Sequence, residues 1–90
     1  MQILKIIVTK NYEKDIQRIR KRNLSLFELD KIIKILQKQE ILPIKYKNHI
    51  LLGKYKTYSE CHIKPDWLLI YKVVDNSLYL YRTGTHSDLF

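Results

Sequence analysis

The sequence predicts an α+β domain, a twisted antiparallel β-sheet of four to five strands with two N-terminal helices packed on one face. Three observations lead there. Apolar residues alternate with a period of two near the N-terminus, recur with a helical period across residues 12–36, and return to period two after Pro43. Gly and Pro number only two each, so the periodic runs are rarely broken. The pair Asp75-Asn76 falls between two apolar runs, and both residue types tolerate the positive φ that a tight hairpin demands. Ninety residues suffice for one such domain, expected to span 1–90 in the order strand, helix, helix, then three or four strands.

Leu4, Ile6 and Val8 alternate with Lys5, Ile7 and Thr9, the pattern of a first strand. Tyr12, Ile16 and Ile19 then lie at i, i+4 and i+7 of a helix. Lys14, Arg18, Arg20, Lys21 and Arg22 cover much of its remaining surface, and Asn23 interrupts it. Ser25, with Glu28 three residues on, reads as a capping box for a second helix. Leu26, Leu29, Ile33 and Leu36 form its core stripe, widened by Ile32 and Ile35, while Lys31, Lys34 and Lys38 face water. Pro43 marks its end. Ile50 to Leu52 reads as a short strand ended by Gly53, and Tyr58 to Lys64 as a longer one stopped by Pro65. Trp67 to Val74 and Ser77 to Thr83 make the hairpin around Asp75-Asn76.

Seventeen Lys and Arg face nine Asp and Glu, a formal charge of +8. On so small a domain this excess points to a polyanionic partner, a phosphate backbone ahead of an acidic protein or an anionic membrane. The single cysteine, Cys61, excludes an intrachain disulfide and speaks against a secreted scaffold. It reads as a small buried apolar residue. Lys5 comes too early for a signal peptide, and the apolar run Trp67 to Tyr71 is far short of a membrane span. A soluble cytoplasmic protein with no membrane partner is expected.

All three histidines, His49, His62 and His86, fall in the second half of the chain. Two lie in segments dense in reactive side chains, Cys61-His62-Ile63-Lys64-Pro65-Asp66-Trp67 and Arg82-Thr83-Gly84-Thr85-His86. Cleavage of RNA by its own 2′-hydroxyl needs a base for the hydroxyl proton, an acid for the leaving oxygen and a cation for the charge on the phosphorane. Histidine can take and give protons near neutrality. Arginine matches phosphate oxygens with a fork of donors, which suits Arg82. His86 lies four residues beyond Arg82 and past Gly84, where a short flexible exit would return it beside the guanidinium. Cys61 and His62 point to opposite faces of a strand and no paired zinc spacing exists, so no metal is expected. No Gly-x-Ser-x-Gly elbow and no phosphate-binding glycine loop is present. Tyr71, Tyr79 and Tyr81 read as sheet packing. Tyr46, Tyr55 and Tyr58, among lysines, suit base stacking and packing equally.

The segments Asn48 to Gly53, Cys61 to Tyr71 and Arg82 to Phe90 resemble the YafQ-type branch of the RelE/ParE toxin superfamily. The resemblance spans nearly the whole chain, and its C-terminal blocks are the specific part. It implies a toxin of a type II toxin–antitoxin pair: a ribosome-dependent, metal-independent messenger RNA endoribonuclease that needs no cofactor. It implies two partners, a cognate antitoxin encoded next door and the ribosome with its mRNA. It also implies the site. His49, His62, His86, Asp66 and Arg82 are the expected catalytic residues, with Arg82 on the scissile phosphate, His86 as general acid, and Asp66 or His62 as base or as its orienting partner. His49 and Trp67 would shape the pocket and Phe90 would stack on a base. Trp67, Phe90, Lys54 and Lys56 are the expected substrate-binding residues. Lys14, Arg18, Lys21, Arg22, Lys31, Lys34 and Lys38 of the two helices would then grip ribosomal RNA through phosphates. Two other functions compete, a ParE-like inhibitor of DNA gyrase and a non-catalytic RNA-binding module. The three histidines together disfavour the gyrase reading.

Overall fold

A computed structural model describes residues 3–51 and 57–90. The elements are β1 (Lys5–Val8), α1 (Lys10–Lys21), α2 (Phe27–Gln37), a 3-10 turn (Ile44–Tyr46), β2 (His49–Ile50), β3 (Ser59–Lys64), β4 (Trp67–Val74), β5 (Ser77–Gly84) and α3 (His86–Leu89). The five strands form one sheet in the order β1-β5-β4-β3-β2. No described helix is long and apolar enough to cross a membrane.

The α+β class, five strands and two N-terminal helices are as the sequence predicts. One pairing differs. β1 runs parallel to β5, with Lys5 opposite Ser77 and Val8 opposite Leu80, so the sheet is mixed rather than antiparallel throughout. The cause is connectivity. β1 feeds into helices rather than a hairpin, and a helical crossover makes a parallel pairing available. The other three pairings are antiparallel.

Helix boundaries shift from the sequence reading at three places. Thr9 caps α1, its hydroxyl accepting from the Tyr12 backbone N–H at 3.0 Å. The expected Ser25/Glu28 capping box does not form. Leu26 is the N-cap of α2 and has no side-chain cap bond. Ser25 instead accepts from the Phe27 N–H at 3.2 Å, and Glu28 accepts from the Tyr46 hydroxyl at 3.1 Å. That bond and the burial of Tyr46 make this tyrosine structural. α2 ends at Gln37, well before Pro43, and Gln39 follows at φ 58. Asp75 takes the positive φ expected of the hairpin turn.

Alternation along β3, β4 and β5 divides the side chains between two faces. Cys61, Leu69, Tyr71, Leu78 and Leu80 meet Tyr12, Ile19, Leu29, Ile32, Ile33 and Leu36 of the helices in the main core. On the opposite face Leu68 and Ile70 meet Leu89 of α3 in a smaller cluster, flanked by Leu51, Tyr58 and Tyr81. Two bulges tune this division. His62 and Lys64 pair with consecutive residues of β4, leaving Ile63 as the extra residue, and Arg82 and Leu80 do likewise around Tyr81.

α3 replaces the flexible exit expected after Gly84. Thr85 and Asp88 form a full capping box, each side chain accepting from the other's backbone N–H, at 3.1 and 3.0 Å. Gly84 permits this fold-back, since a Cβ there would lie 2.9 Å from the Asp88 side chain.

Cys61 is fully buried on the helix side, and burial pushes its thiol up to about 12, assisted by the neighbouring Glu60 carboxylate. The thiolate is the reactive form. The folded protein at pH 8 should therefore react with iodoacetamide at least about a hundredfold more slowly than in guanidinium. Equal rates, followed by mass spectrometry, would contradict this burial.

Candidate active site

The register lines up a row of residues across the sheet. His49 stands opposite Glu60, Glu60 opposite Ile70, and Ile70 opposite Arg82. His62 lies two residues after Glu60 and therefore shares its face, which is the face covered by α3. The sequence places these residues on four different strands. Only the sheet brings them into one row.

The three imidazoles form an arc. The rings of His49 and His62 are 6.2 Å apart, those of His62 and His86 are 6.0 Å apart, and Phe90 follows 6.4 Å beyond His86. Each histidine has a carboxylate. Glu60, 5% exposed, places Oε1 3.3 Å from Nε2 of both His49 and His62. His49 Nδ1 lies 2.7 Å from the Lys47 carbonyl, so both of its nitrogens lie beside oxygen atoms. Asp66, at the tip of the β3–β4 turn, accepts from His86 twice, from the backbone N–H at 3.0 Å and from ring Nδ1 at 2.7 Å. Those two bonds hold the Asp66 carboxyl below its ordinary value. An ionised carboxylate only accepts, so His86 Nδ1 carries hydrogen and Nε2 is the nitrogen left for chemistry.

Arg82 is held from α1. Its Nε and one terminal nitrogen donate to Asp15 at 2.7 and 3.0 Å. Asp15 is 1% exposed and accepts also from Arg18 at 3.0 Å and from the Thr83 N–H at 3.1 Å. Two guanidinium groups against one carboxylate leave the cluster a net positive charge, suited to an anion.

Glu60 and Asp15 are the site residues that sequence reasoning missed. Signals for both exist. Glu60 shares a strand face with His62 by period two. Asp15 falls three residues after Tyr12 and four before Ile19, a charge set in the apolar stripe of α1.

The remaining expected residues divide. Trp67 is buried, and its indole N–H donates to the Thr83 hydroxyl at 2.9 Å, which in turn donates to the Leu68 carbonyl at 2.7 Å. Phe90 is 63% exposed, with its ring 6.4 Å from that of His86. Lys54 and Lys56, like Tyr55, lie outside the described residues. Tyr58 is half-buried and stacks on Tyr81 at 4.6 Å, with the Lys72 ammonium 5.4 Å from its ring. Lys14, Lys21, Lys31 and Lys34 are exposed along the helices. Among the described residues no group of three or more His, Cys, Asp or Glu has the geometry to hold a metal ion.

Residues 4–90 match the family model described as bacterial toxin of type II toxin–antitoxin system, YafQ. The chain is 41% identical over 80 residues to the mRNA interferase toxin YafQ of Escherichia coli, covering 88% of this chain and 87% of that protein. It is similar in structure to a copper-bound mutant toxin from Helicobacter pylori, with TM-score 0.94, 40% identity, and coverage of 98% of this chain and 100% of that one. It is likewise similar to YafQ in the E. coli DinJ–YafQ toxin–antitoxin complex, with TM-score 0.88, 39% identity and 97% of both chains covered.

α3 has a pH signature. Hydrogen bonds from Arg22, at 2.8 and 3.0 Å, are the main cause holding the Asp88 carboxyl far below its ordinary value, with Thr85 helping and burial opposing. A carboxyl lowered in the folded state stabilises fully above its unfolded value, about 3.9, and the gain fades as pH falls toward the folded value. In urea titrations, Asp88→Asn should cost about 1 kcal/mol from pH 7 to 5. The gap should shrink below about pH 4. A gap unchanged at pH 2 would refute the assignment.

Proposed function

The chain belongs to the YafQ family of bacterial toxins of type II toxin–antitoxin systems, and on that premise we propose that it cleaves messenger RNA by acid–base chemistry on the α3-covered face of its sheet. The observation that carries this reading is the pair of imidazoles 6.0 Å apart, His62 and His86, backed by different carboxylates, Glu60 and Asp66. A phosphodiester between them can be reached by both rings at hydrogen-bond distance, about 2.6–3.2 Å.

His62, beside Glu60, takes the proton of the 2′-hydroxyl. The 2′-oxygen attacks phosphorus, and the bond from phosphorus to the 5′-oxygen breaks. His86, as imidazolium, gives its Nε2 proton to that 5′-oxygen. The products are a 2′,3′-cyclic phosphate and a 5′-hydroxyl. Asp66 steadies the imidazolium of His86 before transfer and holds its ring in one tautomer. Arg82, fixed by Asp15, binds the non-bridging oxygens as negative charge builds on them. His49 adds a third imidazole at the far end of the arc, and Phe90 offers a ring face to the base next to the cut.

The proposed reaction takes place in the cytoplasm on translating ribosomes, with the exposed helix lysines on ribosomal phosphates. Its cognate partner is an antitoxin whose acidic segment covers the basic surface, as DinJ pairs with the E. coli relative.

Removing the acid or the phosphate cation should slow cleavage by about a hundredfold or more. On ribosomes programmed with a defined message, His86→Ala and Arg82→Ala should each do so while circular dichroism stays native. Wild-type cleavage by either variant would sink its assigned role.

Side chains supply acid, base and cation, so the proposed reaction has no step for a metal. Toxin stripped with EDTA, desalted and added to magnesium-supplied ribosomes should cut at the untreated rate. Activity lost on stripping and restored by copper(II) would favour a metal role of the kind its metal-bound H. pylori relatives suggest.

A further inference from the structure

Beside the histidine arc lies a cavity of about 510 Å³ that none of the roles above uses. One wall is the loop between α1 and α2, with Asn23, Leu24, Ser25, Phe27 and Glu28. The other is the β3–β4 turn, with Lys64, Asp66 and Trp67. Both walls are tied to α3, the element that carries His86. Arg22, next to Asn23, is paired with Asp88, and Asp66 is paired with His86. Asp66 thus belongs both to the lining of this cavity and to the pair with His86.

The lining sets the occupant. Phe27 is 70% exposed, an aromatic side chain left in water at the start of a helix whose other apolar residues are packed. Leu24 is 43% exposed beside it. Trp67 closes the inner side. Stacking on an aromatic face is the general means of holding an unpaired base. The carboxylates of Asp66 and Glu28 disfavour a phosphate in the interior, whereas Lys64 adds one cation to the lining. Apolar walls for a ring with a cation for its phosphate describe one nucleotide of a single strand.

We infer that this cavity is a nucleobase subsite: it takes the base of a nucleotide flanking the cut, stacked on Phe27, and so sets which message positions are cleaved. The inference rests on the ribonuclease reading, and its test separates the two.

Phe27 is exposed and lies outside the acid–base machinery, so Phe27→Ala should fold normally. On ribosomes, Phe27→Ala should raise KM by about tenfold with kcat changed less than about twofold. It should also redistribute the cut sites along a defined message, and Phe27→Trp should restore both. A second readout needs no cleavage. Trp67 is the only tryptophan of the chain and lines the cavity. Titration of the free toxin with AMP, CMP, GMP and UMP in turn should quench its fluorescence with at least one of them, and Phe27→Ala should abolish that quenching. Unchanged KM and cut-site distribution in Phe27→Ala would overturn the subsite while leaving His86 and Arg82 in their roles. Loss of antitoxin affinity alone would overturn it too, because the occupant would then be protein. A wild-type protein that cuts no message on ribosomes would remove the ribonuclease reading itself.

Discussion

The carboxylate of Asp15 is the interaction on which the candidate active site depends. β1 pairs with β5 only as far as Leu80, so the edge of β5 beyond that point has no strand beside it. α1 covers this edge in its place. Thr9 donates to the Tyr81 carbonyl, and Asp15 accepts from the Thr83 N–H. A buried charge is costly unless fully bonded, and here Arg18, Arg82 and Thr83 all donate to it. The same residue thus finishes the sheet edge and sets the plane of the arginine. Thr83 extends the linkage to the Trp67 indole and the Leu68 carbonyl, so β4 is tied into it as well.

α3 is the second constraint. Four residues do not make a helix stable in isolation, because nucleation outweighs the few bonds gained. This one is held from outside, by its capping box, by the Arg22–Asp88 pair, by Asp66 on the His86 backbone and by burial of Leu89. His86 is left 55% exposed at its side chain yet fixed in orientation. That combination suits the role proposed for His86, delivering a proton to a large substrate. Rotation of the ring is restricted while Nε2 remains reachable.

The basic surface and the acidic residues divide the work. The net charge of +8 favours approach to a phosphate-rich partner in general. Asp15, Glu60, Asp66 and Asp88 act locally, each held against a histidine or an arginine. Few acids are present, and four of the nine serve to position the cations and imidazoles of one face.

By itself the sequence determined the class of fold, most element boundaries and the histidines, because periodicity and residue chemistry are local properties. The switch from helical to alternating period after α2 located the sheet, and Asp75-Asn76 located its central hairpin. The resemblance of three short segments pointed to the toxin family. Tertiary structure alone decided the rest. The parallel pairing of β1 follows from a crossover that no local pattern records. Glu60 reaches His49 only through the β2–β3 register, and Asp15 reaches Arg82 across 67 positions of chain. α3 was missed although Thr85 and Asp88 stand at capping-box spacing, because so short a helix also needs Arg22 and Asp66, which lie far away in sequence. Local preference writes secondary structure into consecutive residues, whereas an active site is made of long-range pairs, and those exist only once the chain has closed on itself.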